Sequence, residues 1–232
     1  MIRFRKDHTW PLFFQRTVAA QLHLLGAVLM FLGAKWLLPL AQHAGPAHYW
    51  ACFGFLASGC LVFLASALVH FLGDGFELSM SWHMFLENID HVGIYLFIAG
   101  TYTPFVLCAI APPWRNTLLV LVWAIAALGI FYTAFRFRLP HVLRSRAART
   151  SLFILMGWTL SLRLHEVFSV LSWPRILLLS GGGLAYTVGA AIYIWQRPNP
   201  IADWFGYHEI WHSLVLVGAA LHYSLIMSFY WT

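Results

Sequence analysis

Seven apolar stretches, at roughly 17–38, 49–71, 90–110, 116–136, 150–171, 175–196 and 208–230, take up most of the chain. A helix needs about 20 apolar residues to cross the hydrocarbon core of a bilayer, and each stretch has that length. Lipid offers no partner to a backbone N–H or C=O, so an isolated apolar run satisfies its own backbone only as a helix. The pattern predicts an all-α membrane protein, a seven-transmembrane-helix bundle forming a single domain over 1–232. The fifth stretch is the least regular, because Arg163, His165 and Glu166 interrupt its second half. Charged residues make up 9% of the chain and hydrophobic ones 61%, with a mean hydropathy of +0.73. An average soluble domain carries roughly a quarter charged residues. A chain this apolar cannot cover a water-facing surface, nor stay solvated as a disordered one.

The cationic residues orient the bundle. Ten of the fourteen Lys and Arg residues fall on the N-terminal side of the spans, including Arg3, Arg5, Lys6 and Arg16 and the cluster Arg136, Arg138, Arg144, Arg146 and Arg149. Lys35, Arg115, Arg163 and Arg175 fall on the other side. The positive-inside bias places the N-terminus in the cytoplasm and, with seven spans, the C-terminus outside. The net charge of +6 is therefore an orientation signal concentrated beside the spans, with no basic face for nucleic acid. Cys52, Cys60 and Cys108 lie inside apolar stretches, without the spacing of a disulfide framework or a cysteine metal site. The N-terminal run is too long for a cleaved signal and lacks a small-residue cleavage site.

Ionisable groups inside spans are costly and point to function. The second span ends with Ser66 and His70, the third begins with Asp90 and His91, and the seventh begins with His208 and His212. All of these belong to the cytoplasmic ends of their spans, so three segments distant in sequence deliver them to one depth. His208 and His212 are four residues apart and leave the same helical face. With His70 they offer three imidazoles, the donor set of a zinc site that keeps a fourth position open for water. Such a site makes a nucleophile available at neutral pH. Asp90 could hold that water or take its proton, and Ser66 could hydrogen-bond a ligand or the substrate.

Blander readings apply to the other polar residues. A single histidine in a helix is usually a hydrogen-bonded packing residue, the reading given to His23, His165 and His222. His91 gets the same reading, since it points about 100° away from Asp90 around the helix. Arg163 and Glu166 are expected to pair with each other, the fifth helix bending or ending early there. Gly100 and the Gly181–Gly183 run are expected to let helices pack closely. His208-Glu209-x-x-His212 spells the zincin signature, in which the Glu is the general base. That reading needs a further carboxylate ligand, for which Asn199–Asp203 is a poor source, so His70 is the better third ligand. Glu209 is then a neighbouring partner or a favourable charge at the helix N-terminus.

These residues also carry a resemblance. Ser66-x-x-x-His70, the block Asp90-His-Val-Gly-Ile-Tyr-Leu-Phe-Ile-Ala-Gly-Thr-Tyr-Thr-Pro-Phe105, and His208-Glu-Ile-Trp-His212 followed by Gly218-Ala-Ala-Leu-His222 are similar to the hemolysin III family. Met156-Gly157-Trp158 resembles it too. That family is the bacterial branch of the progestin and adipoQ receptors (PAQR) and is similar in turn to alkaline ceramidases. The resemblance implies seven helices with Zn²⁺ near the cytoplasmic leaflet, ligands at His70, His208 and His212, a water-holding carboxylate at Asp90 and a motif serine at Ser66. Two departures stand out. Ala19-Ala20-Gln21-Leu22-His23 lacks the family's Asn and its Thr or Ser, and the usually basic loop within Gly73–Asn88 carries Asp74, Glu77 and Glu87 with no Lys or Arg.

The expected function is that of a zinc-dependent lipid hydrolase of the amidase type in a bacterial inner membrane. In it Asp90 and Ser66 are the catalytic residues and a membrane lipid is the substrate. A receptor-like regulator held together by a structural zinc is the alternative from another class. A pore-forming hemolysin is the weakest, since no span carries the charged stripe of a channel lining.

Overall fold

A computed structural model of the chain describes residues 3–4, 17–77, 79–201 and 204–231. Arg5, Lys6 and Arg16 of the basic N-terminal cluster, and Asp203, lie outside the described residues. The fold is helical throughout: α1 (Val18–His43), α2 (Pro46–Gly75), α3 (Met80–Ala109), α4 (Trp114–Phe135), α5 (Arg146–Gly157), α6 (Leu164–Val170), α7 (Trp173–Trp195) and α8 (Tyr207–Tyr230). A two-residue antiparallel ladder, Arg3–Phe4 against Phe76–Glu77, is added beside the end of α2. Among the described residues six helices (α1 to α4, α7 and α8) are long and apolar enough to cross a membrane. They correspond to the first four and last two apolar stretches.

The helices overrun those stretches for local reasons. α1 continues through Pro39 to His43, because a proline in the last turns removes one ladder bond without preventing the turn that follows. Gly45, at φ +117°, then reverses the chain, and Pro46 opens α2, where its missing N–H is not needed. α3 begins ten residues before the apolar stretch does, since 80–89 is mixed in polarity and its charged member, Glu87, is paired.

The fifth stretch is broken into α5, a 3₁₀ segment (Trp158–Arg163) and α6. The break has a specific cause. The hydroxyl of Tyr102 on α3 donates to the Gly157 carbonyl (2.5 Å) and accepts from the Leu160 N–H (3.0 Å), taking both groups out of the helical ladder. Beyond it Arg163 pairs with Glu166 and stacks on Trp114, 3.9 Å from the ring centroid. Both the pairing and the interruption agree with the sequence pattern.

Contacts at the helix ends define the two ends of the bundle. At one, here the basic end, Glu87 bonds Arg136 and Arg149 at 2.7 Å each, tying α3 to the turn after α4 and to the start of α5. At the far end Arg175 bonds the Ser228 carbonyl (2.6 Å), and Tyr230 bonds His48 (3.0 Å). Two buried clusters fill the interior. One joins α3 to α4, α5 and α6 through Tyr95, Phe105, Val122 and Met156, and the other joins α1, α2 and α8 through Leu37, Phe55, Phe63 and Ile226. Large apolar side chains such as Leu29, Phe31, Val120 and Leu128 face outward, and exposed Trp50, Trp114, Trp173, Trp195 and Trp231 lie at helix ends. That is the surface a bilayer selects.

Of the small residues, Gly100 and Gly182 serve close packing: an added Cβ would overlap the Ser58 hydroxyl and the His222 ring respectively. Gly183 has open space around its Cβ position and plays no such part.

Replacing Tyr102 by Phe would strand the buried Leu160 N–H and remove the partner of the Gly157 carbonyl, at a cost of about 1–3 kcal/mol. Thermal unfolding in detergent should show a lowered Tm for Tyr102→Phe with an unchanged helical circular-dichroism signal. An unaltered Tm would mean that the break in α5–α6 does not depend on this hydroxyl.

Candidate metal centre

His208 and His212 leave one face of the first two turns of α8, and His70 reaches them from the last turns of α2. Their Nε2 atoms converge. His212 Nε2 lies 2.9 Å from His208 Nε2, which lies 3.4 Å from His70 Nε2. One nitrogen from each of the three lies within 4.8 Å of the others, and they are the group of this kind among the described residues. The rings meet edge to face, at 74° for His70 and His208 and 86° for His208 and His212. Such a donor group could hold a metal ion.

Asp90 stands outside this donor group. It lies near Ser66, which is buried one turn before His70 on α2. Asp90, His70, His208 and His212 all line one cavity of about 750 Å³ at the basic end. His91 lines it too, with its ring against Phe153 and its Nδ1–H donated to the Glu87 carbonyl at 2.6 Å. Of the five residues singled out from the sequence, His70, His208, His212 and Asp90 line this cavity, while Ser66 is buried on α2 and does not line it.

The mouth of the cavity is fixed by the start of α8. Arg146 donates to the Tyr207 hydroxyl at 3.0 Å and lies over the Tyr193 ring. The Asn199 side chain accepts the Tyr207 N–H at 3.0 Å, so its amide is committed to the helix start. Glu209 turns back along α8, and its Oε2 accepts the Gly206 N–H at 2.8 Å. That is the work of a helix-capping carboxylate, not of a general base.

One residue read as packing behaves otherwise. His23 on α1 is 3% exposed, and its Nε2 is hydrogen-bonded to His212 Nδ1. Spacing gave no sign of this, because its partner lies 189 residues away on another helix. His222 keeps the packing role expected of it: its ring sits against Gly182 and Tyr186, with Nε2 3.3 Å from the Leu179 carbonyl. His165 is exposed on α6.

A polytopic helical membrane protein with an imidazole cluster at one end of its bundle is the class these observations define. Within that class the haemolysin-III-related family model matches residues 13–223. The chain is 34% identical over 208 residues to a "Hemolysin-3 homolog" of Bacillus subtilis, covering 88% of this chain and 89% of that one. It is 36% identical over 139 residues to "Hemolysin-3" of Bacillus cereus, covering 60% of this chain and 58% of the relative. A more distant relative is "Heptahelical transmembrane protein ADIPOR1" of Oryza sativa, 30% identical over 192 residues, covering 76% and 49%. The chain belongs to the haemolysin-III family.

The capping role of Glu209 has a direct consequence. Glu209→Gln keeps an acceptor for the Gly206 N–H and should leave the metal content of the purified protein at the wild-type level, whereas His208→Ala should abolish it. Both are read by elemental mass spectrometry. Loss of metal in Glu209→Gln would restore a zincin-like part for that carboxylate.

Proposed function

We propose that this chain is a seven-span membrane hydrolase that holds Zn²⁺ through His70, His208 and His212 and cleaves a lipid amide or ester. The observation that carries the reading is the convergence of three Nε2 atoms on the wall of a cavity that also contains Asp90. The donor set fits the ion. Zn–N bonds of about 2.0–2.1 Å in a tetrahedron put neighbouring donors about 3.3–3.4 Å apart. Two of the three separations here are 2.9 and 3.4 Å, and all three nitrogens lie within 4.8 Å of one another, so a small closing movement of the rings would complete the set. Three neutral imidazoles also leave the fourth position to a water or a carbonyl oxygen, as catalytic sites do.

When bound, the ion would polarise a carbonyl and bring a water within reach of deprotonation at neutral pH. The rest falls to the chain. Asp90 accepts a proton from the attacking water and returns it to the leaving nitrogen or oxygen. Ser66, beside Asp90 on α2, is placed to hydrogen-bond the carboxylate or the substrate oxygen. The cavity is large enough for a head group and opens beside lipid-facing helices, which suits a substrate whose acyl tail stays in the membrane. The structural alternative, a receptor-like protein in which the ion only clasps α2 to α8, is favoured by the way the histidines bridge those helices. It gives Asp90 no task.

In this reading the interrupted segment, fifth along the chain, is also a span and brings the six to seven. Its start is held at the basic end by Arg149 on Glu87, and Arg163 lies over Trp114 at the opposite end. Nineteen α-helical residues and six 3₁₀ residues cover about 40 Å, more than a hydrocarbon core of about 30 Å. The excess of cationic residues at the basic end supports a cytoplasmic position for that end and the site, with the C-terminus outside, in a bacterial inner membrane.

Detergent-purified protein should contain about one zinc per chain, lost in the double variant His208→Ala/His212→Ala. Asp90→Ala should retain the metal and lose about 10²–10⁴-fold of the turnover of acyl-amide or acyl-ester lipids. Folded wild-type protein without stoichiometric metal would refute the reading. Metal present with no turnover by wild type on either lipid class would select the structural alternative.

A further inference from the structure

Resting on the metal-centre reading, we infer that His23 is a positioning residue: its Nε2 accepts the Nδ1 proton of His212 and thereby keeps the Nε2 lone pair of His212 turned toward the ion. The geometry leaves few other arrangements. His23 Nε2 and His212 Nδ1 are hydrogen-bonded, the two rings meet at 85°, and their centroids are 4.2 Å apart. A neutral imidazole carries one proton, so a histidine that binds a cation through Nε2 carries it on Nδ1. His212 is buried, and the contact the fold supplies to its Nδ1 is His23.

The pair has two tautomeric arrangements. In one, His23 donates from Nε2 to His212 Nδ1. The proton of His212 is then on Nε2, aimed at His208 Nε2 2.9 Å away, and the donor group is closed to a cation. In the other, His212 donates from Nδ1, His23 accepts, and the Nε2 lone pair of His212 is free for the ion. The second arrangement puts the proton of His23 on Nδ1, a buried atom with no hydrogen-bond partner among the described residues. A histidine kept for packing alone would be expected to have both nitrogens satisfied or to be an apolar residue. Here the single satisfied nitrogen is the one that meets a metal ligand. The Phe63 ring, 5.5 Å from that of His23, and the tight fit of Gly26 against Leu216 and Phe63 hold this part of α1 against α2 and α8. The acceptor is thus fixed in place as well as in identity.

The test is zinc affinity of the full-length protein in detergent, measured by competition with a chromophoric chelator, for wild type, His23→Leu and His23→Gln. Loss of the partner of a ligating histidine typically costs about 10–100-fold in metal affinity. His23→Leu should show that loss, and His23→Gln, whose side-chain carbonyl can accept the same proton, should recover most of it. Bound Co²⁺ should report the same order, with visible bands altered in His23→Leu and restored in His23→Gln. The Tm of the chelator-treated proteins should be alike. Wild-type affinity and an unchanged Co²⁺ spectrum in His23→Leu would overturn the inference while leaving the metal centre standing. Equal losses in both variants, together with a fall in Tm without metal, would make His23 a packing residue and overturn it as well. Absence of metal binding by wild type would remove the proposed function itself, and this inference with it.

Discussion

A polar group inside an apolar slab has no water to return to, so its partner has to be another part of the chain. Much of this structure follows from that requirement. Thr101, Thr103 and Thr133 return their hydroxyls to carbonyls one turn back, at 2.8, 2.8 and 2.9 Å. Tyr223 reaches across to the Gly33 carbonyl at 2.8 Å and binds α8 to α1. Glu87 divides its two oxygens between Arg136 and Arg149, so one carboxylate fixes three segments. The histidines obey the same rule with a difference. His23, His212, His208 and His70 meet one another nitrogen to nitrogen, so a group that elsewhere would need a hydroxyl or a carbonyl is met by another imidazole.

The sequence pattern was informative wherever the membrane itself sets the rule. Apolar length located six helices, and their alternating direction put Ser66, His70, Asp90, His208 and His212 at one depth. The i, i+4 spacing of His208 and His212 placed both rings on one face. What length could not supply was the point at which a helix gives way. The break after Gly157 depends on a hydroxyl from α3, and Tyr102 reads as one more aromatic residue in an apolar run. The ends of α1 and α3 were hidden for other reasons: Pro39 does not stop the last turns of α1, the paired Glu87 lets α3 start early, and hydropathy registers neither.

His23 shows the limit most clearly. In the sequence it is a solitary histidine in a first span that lacks the polar residues usual before it in the family. Its meaning comes from α1 lying against α8, a contact between the two ends of the chain that no local period encodes. Glu209 is the converse case. The His-Glu-x-x-His pattern is fully present, yet the backbone at Gly206 claims the carboxylate and leaves the two histidines to act without it.

The site also depends on where the two buried clusters separate. The imidazole cluster sits on α2 and α8, within the half of the bundle built around Phe55 and Phe63, whereas Asp90, His91 and Arg149 come from α3 and α5. α3 contributes to both clusters, through Tyr95 and Phe97 on opposite faces, so it sets the distance between the carboxylate and the histidines. That distance is governed one turn away. Gly93 lets α3 approach α2 so closely that an added Cβ would stand 3.0 Å from the Val62 Cα. Val62 is one turn before Ser66, and Gly93 is one turn after Asp90. The close crossing therefore brings Ser66 near Asp90, and holds the carboxylate beside the donor group but outside it. A larger residue at Gly93 would separate the helices next to the point where Asp90 and the three histidines line one cavity, although Gly93 itself does not line it.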